Sequence, residues 1–385
     1  MRKGWEYKRF DEVFDLQMGK TPDRKNPEYF GGNNVWVSIR DLGDKEIADS
    51  NEHITDLAVS NSNIRKVKKG TVIMSFKLTV GKCGIAATDL YTNEAIMAFN
   101  TKESFDINSS FLYYYLLCYH WVGSNKAVMG ITLNKATISK QYISIPPKST
   151  QLAIVSELDK INELIRLKKE QLKDFDNLAQ SLFYEMFGDP VENEKGWEVK
   201  KLGEICCIGT GSTPNRKNKE FYENGTYPWV KSTEVCNLPI YSVEEYITEE
   251  ALKNSNCTLY PKNTILMAMY GQGKTRGQIG LLMIEACTNQ AVAAIIPTKE
   301  VLDEIFLCQH LMLMYEHIRN MARGGNQANL NLSIVKSIQI FLPPLPLQRL
   351  FAQRIEQIER EKSEVQKSIQ DLETLLASRM QYWFE

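Results

Sequence analysis

Two stretches of this chain carry apolar side chains every seventh residue. Between residues 151 and 187 one thread runs Ile161, Lys168, Phe175, Leu182 and a second runs Leu158, Ile165, Leu172, Ala179. From Gln348 to the end the threads are Ile358, Val365, Leu372 and Ile355, Lys362, Ile369, Leu376. That spacing keeps one stripe of a helix facing a partner and predicts a coiled-coil seam. Each stretch follows a Pro-Pro pair, Pro146–Pro147 or Pro343–Pro344. Ser149 or Thr150 is expected to cap the first helix, which should begin near Gln151 and end before Gly188–Asp189–Pro190. Such a helix is roughly 55 Å long. Helices of this length need tertiary packing. The two are expected to pair with each other, antiparallel; the alternative is that each lies on its own globular part. One lysine interrupts each stripe, at nonequivalent places.

Elsewhere the pattern is short and β-like. The runs VWVSI (35–39), TVIMSF (71–76), YPWV (227–230), TILMAMY (264–270) and AVAAIIP (291–297) are β-branched or aromatic and bounded by Gly, Asn and Pro. Residues 109–122 and 303–322 are apolar nearly all round and are expected to be core helices. The Ile-rich runs 142–147 and 338–344 read as strands closed by their prolines. The expectation is an α+β protein with two globular domains of mixed β-structure and short helices, related by a pseudo-two-fold. The boundaries are 1–150, a first spacer helix and linker at 151–190, a second globular domain at 191–347, and a second spacer helix at 348–385.

Those two halves are copies of one another. At an offset of 192, Trp5/Trp197, Lys8/Lys200, Gly19/Gly211, Thr21/Thr213, Pro22/Pro214, Arg24/Arg216, Lys25/Lys217 and Asn26/Asn218 are identical. The offset drifts to 193 at Trp36/Trp229, to 196 at Thr92/Thr288, and to 197 at Leu133/Leu330, Gln151/Gln348 and Phe187/Phe384. Ordered matches with a slow drift mean a duplicated unit with small loop insertions. Duplicated units tend to arrange about a two-fold axis, and duplex DNA has local two-folds that dimeric readers exploit. Because the copies differ, two such half-sites would differ too, and the target would be bipartite and asymmetric.

Composition narrows the field. The 385 residues carry 46 basic and 47 acidic side chains, so bulk charge announces no nucleic-acid partner, and phosphate contacts would have to be local or shared. No apolar run is long enough to span a membrane and the first ten residues lack a signal-peptide core, so a cytoplasmic location is expected. The eight cysteines form no C-x-x-C and the four histidines no H-E-x-x-H; buried thiols are expected, with no metal or nucleophile site. Two enzyme-like strings fail. Ala268-x-x-x-x-Gly273–Lys274–Thr275 lacks the first P-loop glycine and no helix start follows it. Asn26–Pro27–Glu28–Tyr29 approaches the N-P-P-Y of amino-methyltransferases, but its counterpart Asn218–Lys219–Glu220–Phe221 abolishes the match.

The order of globular unit, long helix, globular unit, long helix resembles the DNA-specificity subunit of type I restriction–modification enzymes. The W-E-x-K openings at Trp5 and Trp197 carry the likeness, with the G-x-T-P loops (Gly19–Pro22, Gly211–Pro214) and the strands at Trp36 and Trp229. Thr288–Asn289–Gln290, the segment Gly324–Asn331 and the P-P-L-x-x-Q leading into the second helix add to it. The first half departs in two places. It has Thr92–Asn93–Glu94 for T-N-Q, and Met129–Thr132 where the second half has Gly325–Ala328. The resemblance implies two target-recognition domains, with helices that space them and dock two adenine-methyltransferase subunits, joined by restriction translocase–nuclease subunits. It further implies no catalysis and no cofactor in this chain, S-adenosylmethionine and ATP belonging to the partners.

Candidate DNA contacts follow from residue chemistry. Thr21, Arg24, Lys25 and their counterparts Thr213, Arg216, Lys217 recur in both copies; identical residues cannot tell half-sites apart, so they read as phosphate clamps or as structure. Readout is expected where the copies differ: Lys77, Thr79 and Lys82 in the first, and Tyr270, Gln272, Lys274, Arg276, Asn326, Gln327 and Asn329 in the second. The basic run Arg65, Lys66, Lys68, Lys69 is as readily a solvated edge as a phosphate contact. A rival reading from another class is a non-enzymatic interaction scaffold, two protein-binding modules on a coiled-coil strut.

Overall fold

A computed structural model describes residues 2, 4–122, 125–127, 130–271, 273–321 and 329–385. They form two compact units, Met1–Lys168 with Ser368–Glu385, and Lys169–Lys367.

In the first unit a five-stranded sheet has the spatial order Phe14–Met18, Ile96–Thr101, Val72–Ser75, Cys83–Ala86, Glu46–Ile47. Neighbours are antiparallel except the last pair, which is parallel. Both faces of the sheet are covered. Val72, Met74, Met97 and Phe99 pack under the helix Ser109–Cys118, while Ile73, Ile96 and Ala98 pack with Val37, Leu42 and Ile47 on the other side. Double-sided burial is why the run Val72–Ser75 is apolar without alternation. A three-stranded ribbon (His53–Ile54, Phe30–Val37, Tyr91–Thr92) carries Trp36, and Glu6–Arg9 pairs antiparallel with Tyr142–Ile145.

The second unit repeats the five-stranded sheet, the ribbon and the closing pair; the hairpin Asn125–Ala127 with Gly130–Thr132 in the first has no counterpart among the described residues of the second. Its sheet runs Cys206–Thr210, Val292–Pro297, Ile265–Ala268, Ile279–Leu282, Pro239–Ile240, and its ribbon Tyr246–Ile247, Tyr227–Val230, Cys287–Thr288. Glu198–Lys201 closes on Gln339–Leu342.

Three element limits differ from the sequence expectation. The apolar stretch 109–122 is helical only over Ser109–Cys118. The stretch 303–322 breaks at Met314 into Glu304–Leu313 and Tyr315–Met321. The long helices span Lys148–Phe187 and Leu345–Phe384, each starting three residues early. Neither Ser149 nor Thr150 caps. The amide of Gln151 already donates to Pro147 O (3.0 Å) and that of Gln348 to Pro344 O (3.2 Å), so each proline occupies the last non-helical position. A proline there forfeits no helical hydrogen bond.

The helix stripes are covered throughout. Leu158, Ile161, Ile165, Ile355, Ile358, Val365 and Ile369 are buried, and Leu172, Phe175, Leu182, Leu372 and Leu376 half-buried. Within the second unit Lys362 pairs with Asp176 (2.8 Å) and Arg354 approaches the sulfur of Met186 (4.0 Å), so the two helix segments there run in opposite directions. Lys362 survives in the stripe because Asp176 and Glu359 both receive its ammonium. In the first unit Glu157 accepts from Arg379 and from Trp383 Nε1 (2.9 Å), joining the start of the first long helix to the end of the second. Pairing and packing on a globular core occur together: Ile154 and Leu158 belong to the core of the first unit, as Phe351 and Ile355 do to that of the second.

Candidate nucleic-acid interface

Strand direction gathers several loops at one end of each five-stranded sheet. In the first unit, Phe14–Met18 and Val72–Ser75 end where Ile96–Thr101 and Cys83–Ala86 begin. The loop 19–26, the turn 92–95 and the hairpin 76–82 therefore share that edge, and the amide of Leu133 joins it by donating to Phe76 O (3.3 Å). In the second unit the same edge holds 211–218, 288–291 and 269–278, with the Leu330 amide on Met269 O (3.1 Å).

The G-x-T-P loop is tied down identically in both. Gly19 lies against the backbone carbonyl of Thr92, and Gly211 against that of Thr288, so closely that a Cβ would overlap it. The indole of Trp36 donates to Lys20 O (3.2 Å), and that of Trp229 to Ser212 O (3.0 Å). The Arg24 guanidinium lies over Phe30 and Trp36, at 4.9 and 5.0 Å from the ring centres, and forks onto Glu52 at 2.6 and 2.9 Å. Arg216 lies over Tyr222 and Trp229, at 4.6 and 4.8 Å, and bonds Glu245 at 2.6 Å. Hydrogen bonding to these arginines holds the Glu52 and Glu245 carboxyls below their usual range. A guanidinium stacked on rings and bonded to a carboxylate, by two bonds in Arg24 and one in Arg216, is a fixed part rather than a free hand. Lys25 and Lys217 stand exposed on the loop tip, in a turn closed by Asp23 Oδ1 and Asn215 Oδ1 onto their amides (both 3.0 Å).

Thr21 and Thr213 turn inward along the edge. Thr21 donates to the carboxylate of Glu94, and Thr213 to the side-chain oxygen of Gln290. Each acceptor sits in a turn held by its neighbour: Asn93 Oδ1 takes the Ala95 amide and Asn289 Oδ1 the Ala291 amide, both at 3.0 Å. Glu94 and Gln290 are exposed. Desolvation works against ionisation of Glu94, but the Thr21 hydrogen bond and the nearby Lys77 and Arg24 outweigh it and hold the carboxyl below its usual range.

The hairpin 76–82 presents Lys77 half-buried beside the Phe76 ring (5.4 Å), with Thr79 and Lys82 exposed. Its backbone is bent through Leu78 at φ 63°, and the Ser75 hydroxyl bonds the Thr79 carbonyl. In the second unit Tyr270 and Lys274 are exposed and Arg276 half-buried. That longer loop passes through positive φ at Gly271, Gly273 and Gly277. It is braced by Tyr315 Oη on Lys274 O (2.5 Å) and Arg319 Nη2 on Gly273 O (2.8 Å). Asn329 is exposed on the segment leading to Leu330. Gln272, Asn326 and Gln327 lie outside the described residues. The run Arg65–Lys69 is anchored at the side of the sheet, with Gln17 Nε2 on the carbonyls of Arg65 and Lys66 (3.2 Å each) and the Lys69 amide on Asp89 Oδ1 (3.0 Å).

Sequence reasoning passed over Glu52, Glu245, Glu94 and Gln290. The repeat hinted at the first pair, since Arg24 and Arg216 are identical and a shared partner follows. For the second pair the hint was the single exchange in T-N-Q.

A family model described as "Type I restriction modification DNA specificity domain" matches residues 2–174 and again 194–374. The chain belongs to this family. Within it, the MjaIX specificity subunit of Methanocaldococcus jannaschii is 26% identical over 91% of this chain and 85% of that one. The EcoR124I/EcoR124II specificity subunit of Escherichia coli is 29% identical over 53% of this chain and 52% of its own. Two solved structures share the fold. A type I system S subunit from M. genitalium aligns over 98% of this chain and 95% of that one at 15% identity, with a TM-score of 0.56. A chain from a structure of a type I R-M system in complex assembly aligns over 100% and 98% at 17% identity, with a TM-score of 0.66. The two matched regions of this specificity-family chain divide it as the repeat does. Among the described residues no helix is long and apolar enough to cross a membrane.

Proposed function

We propose that this chain is the DNA-specificity subunit of a type I restriction–modification system and reads a bipartite, asymmetric target on double-stranded DNA. The observation that carries this is the doubled loop edge: one sheet plan built twice, each presenting a braced loop, a hairpin and a turn at the same end, with different exposed side chains. Each unit would take one half-site. Lys25, Lys217, Lys77, Lys82 and Lys274 are cations placed for phosphate or base acceptors, and Tyr270, Arg276 and Asn329 stand beside them. Arg24 and Arg216 serve by holding the loop in shape.

The long helices separate the half-sites and, with adjoining surface, dock two adenine-methyltransferase subunits; a translocase–nuclease joins that core. This chain then performs no chemistry in the cytoplasm. Methyl transfer to adenine requires the base turned out of the stack, which is work for the subunit that binds S-adenosylmethionine, and ATP serves the translocase. Near-neutral charge suits such a division, because partners share the phosphate contacts.

The test is to assemble the chain with the methyltransferase subunit of its own restriction–modification system and map modified adenines across a genome. Modification at one split motif, with duplex binding that weakens steeply as salt rises, is the expected result. Salt-insensitive binding to proteins alone, with no modified motif, would establish the interaction scaffold instead.

A further inference from the structure

Both units fasten one side chain at the loop edge with the same threonine, yet the fastened group differs. Thr21 meets the Glu94 carboxylate, and Thr213 meets the Gln290 amide oxygen. A carboxylate accepts only, so Thr21 must donate; its bond engages Oε2, and the exposed carboxylate keeps further acceptor capacity. In the second unit the threonine hydroxyl engages the amide oxygen of an exposed glutamine, whose Nε2 keeps two N–H donors. Beyond these threonines and Glu94's own amide, neither carboxylate nor side-chain amide has a protein hydrogen-bond partner among the described residues, and both side chains are exposed.

The surroundings match closely. Asn93 and Asn289 donate their amides to Val37 O and Val230 O at 3.0 Å each, so both turns are pinned to the tryptophan-bearing strand. Lys77 stands near enough to influence Glu94, and the hairpin 269–278 leaves the same strand position in the second unit. The backbone, the turn and the fastening hydroxyl are therefore held constant, and hydrogen-bond polarity alone is inverted.

We infer that Glu94 and Gln290 are a matched pair of specificity determinants: the first unit offers an acceptor to an exocyclic base amine, the second a donor to a base acceptor. In the major groove, cytosine N4 and adenine N6 are the amines a carboxylate takes, while guanine O6 and N7, adenine N7 and thymine O4 are what an amide N–H takes. A carboxylate also repels phosphate, so Glu94 narrows the first unit to base edges. This inference rests on the DNA-specificity reading above.

The experiment uses the full chain in complex with its methyltransferase. Modified adenines are mapped for the unaltered chain, for Glu94→Gln, for Gln290→Glu and for Thr21→Val. A split motif from the unaltered chain secures the DNA reading independently of what the variants do. Glu94→Gln should then change base preference at one position of the first half-site by about tenfold, with the second half-site untouched. Gln290→Glu should do the converse, and Thr21→Val should blur preference at the Glu94 position alone. Unaltered motifs for both isosteric exchanges, in complexes that still modify DNA, would overturn the inference while leaving the DNA reading intact. A variant that fails to assemble is replaced at the same position by Glu94→Asp or Gln290→Asn, which keep the polarity and should keep the preferred base; a changed base there would equally overturn it.

Discussion

The two units share a plan but not an interior. The core helix of the first carries Tyr115, whose hydroxyl accepts the Ser144 amide at 3.0 Å. At the matching place the second carries His310, fully buried, with Nε2 on Pro190 O at 3.2 Å and the Phe341 ring 4.2 Å away. The preceding residue differs as well. Tyr114 bonds Asp159 on the long helix (2.5 Å), and Asp159 also takes Lys45 (2.5 Å), tying helix, core and sheet edge together. In the second unit that preceding residue is Gln309, and the helix start also differs: Asn263 bonds Glu304 at 2.7 Å where the first unit has Ser109 on Gly70 O at 2.6 Å. What stayed constant is the set of contacts that shape the loop edge: Trp36 and Trp229, Arg24 with Glu52, Arg216 with Glu245. The duplication thus kept the geometry of the presenting edge and let parts of the buried support around the core helix diverge.

The deepest cut into this comparison is at the tryptophans. Trp36→Ala should cost about 3–5 kcal/mol and expose the first unit's ribbon, and Trp229→Ala the second's. Amide hydrogen exchange should show the loss confined to the mutated unit; equal loss in both would mean the units do not stand separately.

His310 comes next, as an acid sensitivity carried by a buried imidazole of the second unit. Burial pushes its imidazole down to about 4 from 6.5. The unfolded chain binds the proton first, so stability falls as pH drops from about 6.5 to about 4 and is unaffected above that window. The full effect is about 3 kcal/mol. His310→Phe removes the imidazole and its unpartnered buried Nδ1 and should remove this part of the dependence; an unchanged acid midpoint would sink it.

Smaller still is the buried glutamine at each helix start. Gln151 accepts the Asn108 amide (2.9 Å) and donates to Pro146 O (3.0 Å); Gln348 accepts the Asp303 amide (3.0 Å) and donates to Pro343 O (2.8 Å). Gln151→Leu should cost about 2 kcal/mol, because a buried amide and carbonyl lose their partners. Gln348→Leu should match it in the other unit, and a large inequality in denaturant midpoints would show that the joints are not equivalent.

The smallest effect is expected at Arg24 and Arg216. Both are well exposed, so Arg24→Ala should cost only about 1 kcal/mol in the first unit. Its larger consequence should be weaker DNA binding with an unchanged motif. Arg24→Lys should restore the charge without the fork or the stacking, and so recover little.

Much of the architecture was legible because duplication acts as an internal alignment. Matches such as Gln151/Gln348 and Phe187/Phe384 marked joints before any joint was visible. The heptad threads gave both helices, since a seam imposes a period that a string of residues displays directly. Helix limits were less legible: the break at Met314 and the early starts at Lys148 and Leu345 depend on which carbonyls are free nearby, which periodicity does not encode. At the loop edge, Arg24 looked as free as Lys25. Their adjacency in sequence hides that one lies on a tryptophan and the other in water.

From its sequence alone this protein had a duplicated α+β plan, two paired long helices and a place where the copies differ, because repeats and periods are properties of order along a chain. Tertiary structure decided which arginines are spent on shape, which threonine holds which acceptor, and that Glu94 and Gln290 stand exposed at the loop edge. Those outcomes join residues some seventy to eighty positions apart, Thr21 with Glu94 and Thr213 with Gln290, and only the folded sheet, by aligning its strand ends at one edge, brings them within reach.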